Sequence, residues 1–166
     1  TTRVTRGDAR WPALVTREQL PNGNVMLATY SARGNDSTVT DSVPVAGGLP
    51  ATTRYLFDST WDYVTRIVRP MGDSVVLTYD PSTGNRLSQA PAGDTSRAVR
   101  FAYDSSTHLM RAIRAPMTAK ADSLYYDHTL GNDSVTVSPR GIRSITIRDA
   151  LGRVTHTKTP IDSGSS

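Results

Sequence analysis

The stretch Val75-Val76-Leu77-Thr78-Tyr79-Asp80-Pro81-Ser82-Thr83-Gly84-Asn85-Arg86-Leu87-Ser88-Gln89 decides the fold. Val75, Leu77 and Tyr79 alternate with Val76 and Thr78, and β-branched and aromatic residues at period two predict a strand. The next residues predict a reversal. Pro81 presets φ, Gly84 is free to take positive φ, and the Asp80 carboxylate can accept backbone N–H groups two residues on. Asn85–Gln89 then reads as a return strand, and Pro91-Ala92-Gly93-Asp94 turns the chain again. The unit is one β-hairpin plus a linking turn.

Working outward, the same phrase returns along the whole chain. Phe57-Asp58, Tyr79-Asp80, Tyr103-Asp104 and Tyr126-Asp127 are separated by 22, 24 and 23 residues, and Asp149 follows Asp127 by 22. Upstream, Tyr30-Ser31 and Asp8 continue the series. A second series interleaves: Pro21-Asn22-Gly23, Pro70-Met71-Gly72, Pro91-Ala92-Gly93 and Pro139-Arg140-Gly141. Two interleaved series with a common period predict a repeat architecture. The expected units are residues 1–23, 24–52, 53–73, 74–94, 95–118, 119–141 and 142–162, with 163–166 a flexible tail. Strands of about seven residues are expected, and no convincing helix is found. Asp36–Thr52 reads as a longer loop. Ala115–Asp122 lacks a glycine after its proline, and Asp104–His108 lacks the turn glycine. Seven hairpins at about 4.8 Å per strand make a wide sheet, and sheets beyond about ten strands curl, split or flatten. The expected fold is therefore all-β: successive antiparallel hairpins of about 22–24 residues in a curved, spiralling sheet. Its end strands are exposed edges, open to edge-to-edge self-association.

Composition narrows the function classes. The chain has 166 residues, no cysteine, a net charge of +4 and 37% hydrophobic residues. No apolar run is long enough for a membrane span. The chain does not start with Met and carries no signal pattern, so it reads as a piece of something longer. Acidic residues are 14 Asp against one Glu (Glu18), which is turn chemistry rather than helix chemistry. The 17 Arg are spread through every unit with no basic run, so nucleic acid is not the expected partner.

With Tyr-Asp corners, Gly-[Asn/Arg]-x-[Leu/Val] return strands and Pro-x-Gly turns in place, the chain resembles the YD repeat of Rhs proteins, Tc-toxin shell subunits and teneurins. The closest matches are Tyr79–Leu87, Tyr30–Asn35 and Asp149–Val154. The resemblance implies a spiralling shell that walls off or presents a toxin or adhesive domain. It further implies a large bacterial secreted or surface protein, with an extracellular or cell-surface location. Its partners are then the other repeats and an enclosed or appended domain of the same polypeptide. The chain departs from the pattern at Ser31, where Asp is expected, and at Arg148, where Tyr is expected.

The repeat-defining residues are Phe57, Asp58, Tyr79, Asp80, Gly84, Tyr103, Asp104, Tyr126, Asp127, Gly131, Asp149, Gly152, Pro70, Pro91 and Pro139. The aromatic series reads as a ladder between hairpins, with sugar stacking as the alternative. Trp11 and Trp61, each three residues after a unit Asp, fall near hairpin tips and are the candidate ligand-binding residues, for a glycan or a protein. His108, His128 and His156 have no metal-ligand spacing. No nucleophile elbow, phosphate loop or dinucleotide fingerprint is present. No catalytic residue, metal or cofactor is expected.

Overall fold

Alternating β-branched residues between Asp-rich and Pro-Gly bends produce strands and little else. The computed structural model describes residues 1–42, 50–126 and 133–159. The first hairpin pairs β1 (Arg3–Thr5) with β2 (Arg17–Gln19), and the second pairs β3 (Val25–Tyr30) with β4 (Asp36–Ser42). The third joins β5 (Ala51–Phe57) to β6 (Val64–Val68), and the fourth comprises β7 (Ser74–Tyr79) and β8 (Arg86–Pro91). Then follow β9 (Val99–Tyr103) with β10 (Met110–Arg114), β11 (Asp122–Tyr126) with β12 (Asp133–Val137), and β13 (Arg143–Arg148) with β14 (Val154–Lys158). All are antiparallel, and strand order follows chain order from β1 to β14. Each odd-numbered strand ends at or just before an expected corner. The one helical turn among the described residues is a 3-10 turn at Thr95–Arg97, capped by the Asp94 carboxylate.

The chain divides into two compact units, Thr1–Leu77 with Pro91–Gly93, and Thr78–Ala90 with Asp94–Ser166. In the first, β2 pairs β3, β4 pairs β5, and β6 pairs β7, so each hairpin is zipped to its neighbour. In the second, β8 pairs β9, β10 pairs β11, and β12 pairs β13. The interior is thin. Only Leu77, Ala90, Ala98 and Ser74 are buried among the described residues, and no large side chain is fully buried.

Several expectations change in detail. Strands run from three to seven residues, with only β4 and β5 reaching the expected seven, because bulges and four- to five-residue bends consume chain. Asp36–Thr52 is not one long loop: Asp36–Ser42 is strand β4 and Ala51 opens β5, stabilised by cross-strand hydroxyl pairs such as Thr40 Oγ1 to Thr52 Oγ1 at 2.9 Å. The return strand expected over Asn85–Gln89 covers Arg86–Pro91. Pro91 thus ends a strand rather than opening a turn. Met117, directly after Pro116, takes the left-handed conformation (φ 59°), one residue earlier than the glycine of the Pro-x-Gly turns.

Candidate functional site

The corners that follow the odd strands are the most elaborated part of the molecule. At Asp58, Asp80 and Asp104 the bend has one geometry: the Asp N–H donates to the carbonyl five residues on (Tyr63, Asn85, Leu109) at 2.8–3.0 Å. The fourth residue after the Asp has positive φ, whether it is Asp62 (62°), Gly84 (73°) or His108 (58°). At Ser31 and Asp149 the bend is one residue shorter, with the N–H donating to Asn35 and Arg153 and the left-handed residue at Gly34 and Gly152. The Pro-Gly turns at Leu20, Arg69 and Ser138 close with the same two bonds as this shorter bend.

The carboxylates organise their own bends. Asp58 accepts the N–H groups of Thr60, Trp61 and Tyr63 at 2.6–3.0 Å. Asp80 accepts Ser82 N–H and O–H and Thr83 N–H, and Asp104 accepts the N–H and O–H groups of both Ser106 and Thr107. Asp149 accepts Leu151 and Arg153 N–H and an Arg153 guanidinium bond at 2.7 Å. Hydrogen bonds to the charged form hold these carboxyls below the usual range. The leading donor is the Trp61 N–H at Asp58, the Ser82 hydroxyl at Asp80, the Ser106 hydroxyl at Asp104 and the Arg153 N–H at Asp149. Asp8 is lowered by the Arg10 side chain and Asp94 by the Ser96 hydroxyl.

The aromatic residues reach sideways. Tyr30 Oη donates to Val15 O at 2.5 Å, in the hairpin before it, and Tyr103 Oη donates to Arg86 O at 2.9 Å, likewise one hairpin back. The Arg86 guanidinium lies 4.5 Å from the Phe101 ring centre. Trp11 Nε1 donates to Ser31 O at 3.1 Å, and its ring covers Gly34 so closely that an added Cβ would meet it at 3.3 Å. Arg33 Nη2 then donates to Ser59 O at 2.7 Å, and the Asn35 amide bonds the Asp62 carboxylate. In the first unit, consecutive corners are therefore tied tip to tip. Trp61 is 45% exposed and stacks on Tyr63, with ring centres 6.4 Å apart and planes at 10°. Arg148 takes the tyrosine position and donates to Gly152 O at 3.1 Å. Asp127, Gly131 and His128 lie outside the described residues.

One feature of the corners escaped the sequence reading. Beside the aromatic position the return strand carries an extra residue, a β-bulge, at Ser37, Thr65, Arg111, Ser134 and Thr155. Three of these bond back to the carbonyl before the corner: Thr65 to Leu56, Ser134 to Tyr125 and Thr155 to Ile147, at 3.1–3.2 Å. The signal was a hydroxyl six or seven residues after the corner residue. Among the described residues no group of three or more potential ligands is placed to hold a metal ion, and no helix is long and apolar enough to cross a membrane.

This geometry has solved counterparts. The chain superposes on TcdB2-TccC3 with a TM-score of 0.71 at 13% identity, over 96% of this chain and 9% of that one. A second structure, of TcdB2-TccC3-TEV, gives 0.74 with the same identity and coverage, and a Photorhabdus luminescens Tc holotoxin pore with a TccC3 mutation gives 0.72. The likeness is one of fold. No family model and no curated protein matches the sequence. The chain spans about a tenth of the length of these structural neighbours.

Proposed function

We propose that this chain is a structural, non-catalytic stretch of YD-repeat β-shell from a large bacterial secreted or surface protein, where it walls off or presents a toxin or adhesive domain. The observation that carries this reading is the lateral tie between consecutive hairpins. Backbone ladders join each to the next, and Tyr30, Tyr103, Trp11 and Arg33 bind the preceding or following corner. Such a surface stabilises itself by neighbour contacts alone, as solenoids do, and extends without a sealed globular core. The likeness to Tc-toxin structures supports the same reading at the level of fold. The test is limited proteolysis of the parent polypeptide. A downstream domain resistant to protease until the repeats are loosened by mild denaturant supports containment. Digestion of that domain at the rate of its isolated form overturns it.

A second reading, a glycan- or protein-binding module, rests on Trp61 and Tyr63, whose stacked rings remain well exposed. Trp11 is less suited, since its N–H and ring face are both engaged within the sheet. A saturable fluorescence response on a glycan series, abolished by Trp61→Ala and retained in Trp11→Phe, supports this reading. A flat response removes it.

A further inference from the structure

Directly opposed residues of an antiparallel ladder share a face, and residues alternate faces along each strand. The registers therefore place most of the strand-borne charges on one face or the other. In the first unit, Thr5 opposes Arg17, Thr38 opposes Arg54, and Leu56 opposes Arg66, while Arg3 is two residues from Thr5. These rows connect through Leu27, Thr40 and Thr52, so Arg3, Arg17, Arg54 and Arg66 share one face. Glu18 and Asp41 lie on the other, with Tyr30, Tyr55 and Phe57. Taken by itself, the second unit repeats the division. Arg100, Arg114, Arg143 and Lys158 share a face through the rows Ala102–Ala112–Ser123–Val137–Arg143 and Tyr125–Val135–Ile145–Lys158. Asp122 lies on the opposite face with Phe101, Leu124, Tyr126 and Arg148. Among the described residues, neither basic face has a strand-borne carboxylate.

The cations are also grouped. In the first unit they sit on β1/β2 and on β5/β6, with none on β3/β4. In the second they sit on β9/β10 and on β13/β14, with none on β11/β12. Two cationic ridges four strands apart are separated by about 19 Å at about 4.8 Å per strand.

These side chains are not consumed by the fold. Arg3, Arg54, Arg66, Arg100, Arg114, Arg143 and Lys158 are exposed. The ion pairs described instead use Arg10, Arg33, Arg69 and Arg153, all in bends. On this face of the first unit, Arg66 bonds Ser74 Oγ at 2.9 Å and Arg17 bonds Gln19 Oε1 at 3.2 Å, both neutral oxygens. Arg100 and Arg114 stand directly opposite each other, an arrangement of like charges that destabilises a ladder.

We propose that the basic, carboxylate-free face of each unit binds an acidic polypeptide in extended form. The guanidinium fork matches a carboxylate with two parallel bonds. The hairpin between ridges offers small apolar and hydroxyl side chains, Val25, Leu27 and Thr40 in one unit and Val135 and Val137 in the other, against which uncharged residues of a polypeptide can lie. A gap of about 19 Å corresponds to about six extended residues at about 3.3 Å each. Single-stranded nucleic acid fits less well, because it needs aromatic platforms for its bases. The basic face of the first unit has no strand-borne aromatic residue, and that of the second has the single exposed ring of Tyr125, short of the run of platforms that successive bases need. The proposal goes beyond the shell reading and holds equally for a free-standing array.

The test uses the whole chain, titrated by fluorescence anisotropy with labelled poly-L-glutamate and with a single-stranded oligonucleotide of equal charge. Saturable polyglutamate binding is expected. It should weaken about fivefold or more in Arg54→Gln/Arg66→Gln and in Arg114→Gln/Arg143→Gln, from the loss of two contacts. Arg69→Gln/Arg153→Gln lowers net charge equally but alters bends only, and should bind like the parent. Arg54→Lys/Arg66→Lys keeps the charge but loses the fork, and should bind more weakly than the parent and more tightly than the glutamine pair, which serves as the reading if the glutamine variants misfold. No saturable binding, equal weakening by the bend variants, or tighter binding of the oligonucleotide overturns the proposal.

Discussion

The corners at Asp80 and Asp104 close on the same two backbone bonds, yet Gly84 occupies the left-handed position in one and His108 in the other. A residue with a Cβ costs about 1–2 kcal/mol there relative to glycine. The bend at Asp104 forms nonetheless, because its carboxylate gathers four donors from Ser106 and Thr107. The comparison teaches that the carboxylate is the organising element and that glycine lowers the cost. Degenerate copies of the repeat can therefore keep the geometry while losing the glycine, and Asp62 in the Asp58 corner repeats the lesson.

The largest effect that would break this comparison is acid. The corner carboxyls are lowered in the folded chain, so the unfolded chain binds more protons at low pH. Their stabilisation is complete above the unfolded value of about 3.9 and is lost as pH falls through the lowered folded values. The melting temperature is expected to hold between pH 7 and 5 and to fall below about pH 4. A melting temperature indifferent to pH down to 2 would remove the carboxylates from their organising place.

Next comes Asp104→Ala set against Asp80→Ala. Both should lower the melting temperature, and the loss at Asp104 should be the greater, since no glycine eases its bend. Equal losses would mean that the left-handed residue adds nothing. Gly84→Ala is expected to cost about 1–2 kcal/mol in chemical denaturation, the penalty of a Cβ at φ 73°. The smallest effect is His108→Gly, a gain of about 0.5 kcal/mol once glycine's greater unfolded-state freedom offsets part of the relief. A loss there would show that the His108 side chain makes contacts that outweigh its backbone strain.

Much of this was readable along the chain because it is local. Tyr79-Asp80-Pro81 and Gly84 specify a bend within six residues, and Pro-x-Gly specifies the linking turn. What was not readable involves residues far apart in sequence. Tyr30 bonding Val15, Trp11 covering Gly34 and Asn35 meeting Asp62 all join different repeats, and no periodicity names such pairs. Asp36–Ser42 was hidden as a strand because its Ser, Thr and Asp residues carry turn propensity. Pairing on both sides, with Val39 opposite Ala28 and Thr53, outweighs that local preference.

The amino-acid order alone determined the period, the number of hairpins and the chemistry of each corner, since φ preferences and carboxylate-to-backbone bonds act over a few residues. Tertiary structure decided the sidedness of the charges and the bonds between corners. Both depend on register, which the bulges at Ser37, Thr65, Arg111, Ser134 and Thr155 adjust by one residue. A one-residue slip sends every side chain of a strand to the opposite face, so only the paired strands could show, within each unit, which arginines share a face.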